Sequence, residues 1–291
     1  MSRVAVVGLG MMGSRVARRL LDHGHELVVW NRTAARASEL VQVGAVPANS
    51  PADAARRVDV VITMLAGPEA LREVTEGVNG VAAGVQSPTT VIEMSTVGPR
   101  AVSRLASVLP PETALLDAPV LGSVTEAESG TLQVFVGGPA VLAERWMPLL
   151  SILGSPMYVG PLGAGASAKL VANTTLVGTI ALLGEALALA QSLDLARETA
   201  FDVLARTPLA AQAERRRRSV ETGEYPTRFA LYLARKDANL IAEAAAETGA
   251  DLRVSAAAGS WLAEAEEDGW GDRDYTAVLA RILAHATNAR R

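Results

Sequence analysis

One lysine stands in the run "GAGASAKLVANT" (residues 163–174), among glycine, alanine and serine, with an asparagine four positions further on. On a helix Lys169 and Asn173 share one face, at i and i+4. The small side chains around them let a bulky group approach closely. The chain has 27 Lys plus Arg, and only Lys169 and Lys236 are lysine. The two cations differ in chemistry: a desolvated ammonium can lose its proton near neutral pH, whereas guanidinium keeps its charge. A lysine on an apolar helix also carries a desolvation penalty that something must offset. Lys169 is therefore a candidate for proton transfer. Asn173 either serves the same site or only bridges within its helix, because a buried amide needs partners in any case.

A second constellation lies at the N-terminus. "VAVVGLGMMGSRVARRL" carries G-x-G-x-x-G at Gly8, Gly10 and Gly13, directly after a strand pattern and opening a helical one. Such glycines permit a tight turn, close approach of the backbone to a pyrophosphate, and close packing of helix on strand. The pattern, with its strand, its helix and a second strand at the expected interval, points to dinucleotide binding. The second strand ends "VVWNRT". An NAD site usually has Asp or Glu there to accept from the ribose hydroxyls; this chain has Asn31, Arg32 and Thr33. With no carboxylate to repel a 2′-phosphate and a guanidinium able to hold one, NADP(H) is the expected cofactor. NAD(H) stays possible, since Arg32 could also act by stacking on adenine.

The elements that must position these groups are readable from periodicity. Six β-branched or apolar runs, 3–8, 26–31, 59–65, 89–95, 114–120 and 132–138, alternate with helical stretches. That is the signature of a parallel α/β sheet. From 165 to about 194 runs a long, alanine-rich, nearly uncharged helix, and everything after it reads as helical. It is broken around Pro208, at "GEYPTRF" and at "EDGWGDRD". The expected fold is an α/β Rossmann-type N-terminal domain (1–161) followed by an all-α C-terminal domain (162–291). The second domain begins with the long helix. A helix apolar on most faces must be buried among others, so a homodimer is expected.

Composition excludes several classes. Apolar residues are 49% and charged residues 20%, an ordinary globular balance. No uninterrupted apolar run is long enough to span a bilayer. No basic lead with a cleavage site precedes the first strand, so a cytoplasmic protein without membrane partners is expected. Cysteine is absent, which removes disulfides, thiol nucleophiles and zinc–thiolate sites. His23, His25 and His285 are not spaced as metal ligands, and no metal is expected. A net charge of −4 argues against nucleic acid. The basic run "ERRRRSV" (214–220), with Glu214, Glu221 and Glu224 nearby, reads as a solvated helix face.

Five motifs in order resemble the β-hydroxyacid dehydrogenase family over nearly the whole chain: "GLGMMG", "EMSTVGP" (93–99), "DAPVLGS" (117–123), "GASAKLVAN" (165–173) and "FALYLARKD" (229–237). "APVLGSVTEAESGTL" is most similar to the glyoxylate and succinic semialdehyde reductase branch. Other branches hold 3-hydroxyisobutyrate dehydrogenases, and imine reductases are more distant cousins. The resemblance implies Lys169 as general acid/base and Asn173 as an orienting residue. It implies substrate contacts at Thr96, Leu121, Gly122, Ser123, Phe229 and Asp237. Cofactor contacts are implied at Gly8, Leu9, Gly10, Met11, Met12, Gly13, Asn31, Arg32, Thr33, Met64, Leu65, Thr96 and Lys236. Phe229 would otherwise be ordinary core, and Asp237 a surface ion-pair partner. One departure stands out: many relatives have serine where this chain has Leu121, which removes a hydroxyl contact.

The implied activity is NADP(H)-dependent reduction of small carboxylate-bearing aldehydes, or oxidation of the matching hydroxyacids. An imine reductase is the nearest rival, although those relatives usually lack the lysine. A reading of another class is a non-catalytic NADP(H) sensor or scaffold. The lysine–asparagine pair argues against it.

Overall fold

The computed structural model describes residues 2–56 and 58–288. It divides into two compact units, residues 1–170 and 171–291.

The N-terminal unit is built on a nine-stranded sheet. Its strands are β1 (Arg3–Val7), β2 (Glu26–Trp30), β3 (Val46–Pro47), β4 (Val60–Thr63), β5 (Thr90–Glu93), β6 (Ala114–Asp117), β7 (Val120–Leu121), β8 (Leu132–Gly137) and β9 (Gly154–Gly160). Their order is β3-β2-β1-β4-β5-β6-β8-β7, with β9 also on β8. Pairing is parallel from β3 through β6. It turns antiparallel where β8 meets β6 and β7, and β9 joins β8 in parallel. The helices are α1 (Met11–Asp22), α2 (Ser38–Gln42), α3 (Pro51–Ala55), α4 (Pro68–Thr75), α5 (Val81–Gly84), α6 (Gly98–Val108), α7 (Val124–Ser129) and α8 (Ala140–Leu153).

Alternation along the strands explains why both faces are covered. Val4, Val6, Val29, Ile62 and Ile92 pack with Val16 and Leu20 of α1 and Trp146 and Leu150 of α8. Ala5, Val7, Val61, Val91 and Leu115 pack on the other side with Leu71 of α4 and Val102 and Leu105 of α6.

Three strands differ from the sequence expectation. The run 114–120 is two strands, because Pro119 cannot donate to a ladder; the chain bends there and resumes as β7. β3 is only two residues long, and β9 carries Gly154 and Pro156, so neither gives a β-branched signal.

Helix α9 (Ala164–Ser192) starts within the first unit and continues into the second. The helical unit adds α10 (Arg197–Leu204), α11 (Ala210–Thr222), α12 (Leu231–Thr248), α13 (Arg253–Ala265) and α14 (Val278–Asn288). Its core gathers Val177, Leu183, Phe201, Leu231, Leu262 and Leu279, all buried. Among the described residues α9 alone is long and apolar enough to cross a membrane, by length and composition only. Its buried Lys169 and Asn173 suit the inside of a protein better than lipid.

The arginine run of α11 is not the fully solvated face its composition suggested. Arg216 lies over the Tyr275 ring and donates to its hydroxyl at 3.1 Å, and Arg217 lies over Phe201. Two of the four guanidinium groups thus pack on aromatic rings of the helical unit.

Candidate active site

The turn between β1 and α1 shows what each glycine is for. Gly8 has φ +101°, and a Cβ there would stand 2.3 Å from the Met64 carbonyl oxygen. A Cβ at Gly13 would stand 1.9 Å from the Gly8 carbonyl oxygen. At Gly10, the residue before α1, a Cβ would meet nothing within 4 Å. The outer glycines close the loop onto the end of β4, and the middle one leaves open space at the helix N-terminus. The first turn of α1 has no acidic residue, so its free N–H groups and dipole favour an anion. These residues fit a dinucleotide pyrophosphate. Met11 is exposed at the head of α1, Met12 is half-buried, and Met64 and Leu65 are half-buried at the end of β4.

Asn31 holds this loop from the side. Its Oδ1 accepts from the Leu9 N–H at 2.9 Å, and its Nδ2 donates to the Thr33 carbonyl at 3.0 Å. Both ends of the amide are engaged within the protein, so Asn31 supports the loop. The Arg32 side chain is 85% exposed, with Glu73 Oε2 of α4 at 3.6 Å from its guanidinium. A carboxylate therefore does stand beside this cation, supplied by α4 and not by the strand end where such acids usually sit. Nothing local to "WNRT" signals it.

Two buried carboxylates sit at the C-terminal ends of β5 and β6, in register with each other. Glu93 accepts from the Thr63 hydroxyl and, at 2.6 Å, from the Ser95 N–H. Ser95 Oγ in turn accepts from the Leu65 N–H at 2.8 Å. Burial pushes the Glu93 carboxyl up to about 7, against these hydrogen bonds. The network ties the end of β4 to the 95–96 turn, where Thr96 is half-buried. Asp117 is also pushed up by burial, opposed by N–H groups of Ala166 and Gly163. Sequence reasoning singled out neither acid, although both lie inside quoted motifs.

The loop after β6 places Leu121 at the end of β7, half-buried and paired with Gln133. Gly122 has φ +137°, which favours glycine. Ser123 gives both its donors to one group: its N–H and hydroxyl meet Glu126 Oε2 at 2.8 and 2.7 Å. That hydroxyl helps start α7 and has no proton left for a substrate carboxylate. With Leu121 replacing a serine, the loop offers fewer hydroxyl donors than the resemblance implied.

On α9, Lys169 and Asn173 are 8% and 1% exposed. Asn173 does not bridge within its own helix. Its Nδ2 donates to Asp237 Oδ2 of α12 at 2.7 Å, while its Oδ1, also buried, accepts from no group among the described residues. Asp237 is buried, not a surface acid, and its Oδ1 lies 2.6 Å from Lys236 Nζ. Phe229 is half-buried, its ring 5.5 Å from that of Tyr275. Asp274 pins this segment, accepting from the Arg228 and Phe229 N–H groups at 2.9 and 3.2 Å. The helical unit also has a cleft of about 460 Å³ lined by Leu187, Asp194, Arg197 and Leu283 among others. It lies near the far end of α9 from Asn173 and touches none of these groups.

Comparison with known proteins decides the family. Residues 3–163 match the NAD binding domain of 6-phosphogluconate dehydrogenase. Residues 163–282 match the NAD-binding domain of NADP-dependent 3-hydroxyisobutyrate dehydrogenase. The chain belongs to the β-hydroxyacid dehydrogenase family. This dehydrogenase is an oxidoreductase acting on CH–OH donors. It is 32% identical over 290 residues to 3-sulfolactaldehyde reductase of Escherichia coli K12, covering 98% of this chain and 97% of that one. It is 32% identical over 284 residues to the chloroplastic glyoxylate/succinic semialdehyde reductase 2 of Arabidopsis thaliana, covering 97% and 79%. Among solved structures it is similar to Mycobacterium tuberculosis 3-hydroxyisobutyrate dehydrogenase with L-serine. That match has a TM-score of 0.87 at 28% identity, covering 97% of this chain and 99% of the other.

Proposed function

We propose that this dehydrogenase is an NADP(H)-dependent reductase of small aldehydes bearing an anionic group, with Lys169 as general acid/base. The observation that carries this reading is Lys169 itself: a buried lysine on α9 in a chain that otherwise uses arginine almost everywhere. The names of two relatives, a sulfolactaldehyde reductase and a glyoxylate/succinic semialdehyde reductase, support the substrate class.

When bound, the nicotinamide supplies a hydride to a carbonyl carbon or accepts one from a carbinol carbon. The remaining work falls to the chain. Gly8, Gly10, Gly13 and the α1 N-terminus hold the pyrophosphate, and Arg32 meets the 2′-phosphate after giving up Glu73. Lys169 Nζ gives a proton to the substrate oxygen in reduction and takes it back in oxidation, a role guanidinium cannot fill. Asn173, fixed by Asp237, turns its remaining amide oxygen to the substrate hydroxyl or to the lysine. Leu121 makes the pocket greasier than a serine would. A homodimer belongs to the same reading, since α9 leaves Val171, Leu182 and Leu189 exposed.

The test is a panel of aldehydes with each reduced cofactor, followed by loss of cofactor absorbance. Glyoxylate and succinic semialdehyde should turn over with NADPH far better than butyraldehyde, which lacks the anion. Equal turnover of the neutral aldehyde would refute the proposed substrate class.

A further inference from the structure

The start of α9 is held by an unusual partner. A helix leaves its first N–H groups without internal acceptors, and a residue next to the helix in sequence usually caps them. Here the acceptor is Asp117, at the end of β6, 46 residues before Gly163. Its Oδ1 accepts from the Gly163 N–H at 2.8 Å and its Oδ2 from the Ala166 N–H at 2.6 Å. Asp117 is fully buried, so its carboxylate depends on these donors to offset lost hydration. Two glycines leave room for the joint. A Cβ at Gly137 would stand 2.4 Å from Asp117 Oδ1, and one at Gly165 would stand 2.9 Å from Oδ2 and 2.4 Å from the Phe135 carbonyl oxygen. Backbone of β8, carboxylate of β6 and first turn of α9 are thus in direct contact, within one compact unit.

A helix is a stiff rod, so fixing its first turn fixes the height and rotation of residues one turn on. Lys169 is three residues beyond Ala166, and its side chain tilts back toward that N-terminus. Asp117 also begins the 117–123 loop that holds Leu121 and Gly122. Glu93, the other buried carboxyl, is its register partner across the sheet. We propose that Asp117 is a positioning residue for catalysis: its carboxylate sets where α9 presents Lys169 relative to the 117–123 loop. The proposal rests on the reading of Lys169 as general acid/base.

The test compares Asp117→Asn, Lys169→Met and the double variant, with succinic semialdehyde and NADPH. The isosteric amide keeps one acceptor but turns a donor toward the helix N–H groups. Asp117→Asn should lower kcat by about tenfold or more, the scale of a small misplacement of a catalytic group. KM and the NADPH dissociation constant, read by nicotinamide fluorescence, should change by less than about threefold. Because Asp117 acts through Lys169, the same substitution in Lys169→Met should cost the residual rate almost nothing further. Unchanged kcat, an equal loss in both backgrounds, or kcat, KM and cofactor affinity worsening together would each overturn the proposal. If Asp117→Asn does not fold, Asp117→Ser, which keeps an acceptor and removes bulk, is judged by the same criteria. Full activity in Lys169→Met would be the failure of the lysine reading. An inactive Lys169→Met with a fully active Asp117→Asn would be the failure of this proposal alone.

Discussion

The two units offer a ligand different kinds of groups. In the sheet unit the groups are mostly backbone: free N–H groups at the head of α1, glycines that bring one strand end against another, and small polar side chains that tie loops together. In the helical unit they are side chains that grip one another across helices, as Asn173 grips Asp237 and Arg216 grips Tyr275. Backbone sites depend on shape, and one added carbon can close them. Side-chain sites depend on pairs, and removing one partner disables the other. Substitutions in the glycine loop should therefore fail in cofactor affinity, and those in the Asn173–Asp237 pair in turnover.

The largest of these effects is expected at Gly13. A Cβ there would press on the Gly8 carbonyl oxygen at 1.9 Å, so Gly13→Ala must open the loop. Overpacking costs about 1–3 kcal/mol, which corresponds to NADPH affinity lower by roughly 5- to 150-fold in a fluorescence titration. Unimpaired binding would mean the loop is not the pyrophosphate site. Next comes Asn173→Ala, which should lower kcat by about tenfold, less than the loss of a group that itself transfers a proton, and leave NADPH affinity intact. A loss of cofactor affinity instead would erase the contrast between the units.

Arg32→Ala should weaken NADPH by about tenfold, the scale of one charge-assisted hydrogen bond, with NADH little changed. The exposed Arg32–Glu73 pair is itself worth little, so Glu73→Gln should strengthen NADPH binding only slightly. Equal losses for both cofactors in Arg32→Ala would make Arg32 a loop support.

The smallest effect on turnover is expected at Glu93, where the readout is stability. Its carboxyl titrates at about 7 in the folded protein against 4.5 unfolded. Between those values the folded state holds a proton that the unfolded chain has lost, so stability falls as pH rises through that window. The loss is bounded by roughly 3 kcal/mol. From about pH 5 to about pH 8, the urea midpoint of the natural protein should fall more than that of Glu93→Gln. Identical pH profiles would show that Glu93 does not titrate there.

The same contrast governs what could be read from the sequence. The glycine loop was legible because its constraints are local: a turn, a close approach and a helix start within a few residues. The longer strands were legible because burial on both faces demands apolar runs, as in "VAVV" and "VVIT". β3, β7 and β9 were not, being very short, interrupted by Pro119, or rich in glycine and proline. Lys169, Asn173 and Asp237 were named from motif order. What those motifs did not give was the partners: Glu73 beside Arg32, Glu126 taking both donors of Ser123, Asp274 pinning Phe229, and Asp117 capping α9. The Glu73, Asp274 and Asp117 pairings are set by tertiary structure, and nothing adjacent in sequence encodes them; the Ser123–Glu126 pair is local, an S-x-x-E box at the start of α7 that the motif reading passed over.

The central claim is that Lys169 moves a proton, and the most direct measurement is kcat for Lys169→Arg beside Lys169→Met. Arginine keeps a positive charge in place and cannot give its proton up, whereas methionine removes charge and proton together. The account predicts that both lose at least about 100-fold in kcat, with NADPH affinity unchanged because the glycine loop holds the pyrophosphate. Sustained turnover in Lys169→Arg would contradict it, since a permanent charge would then be all that the reaction needs.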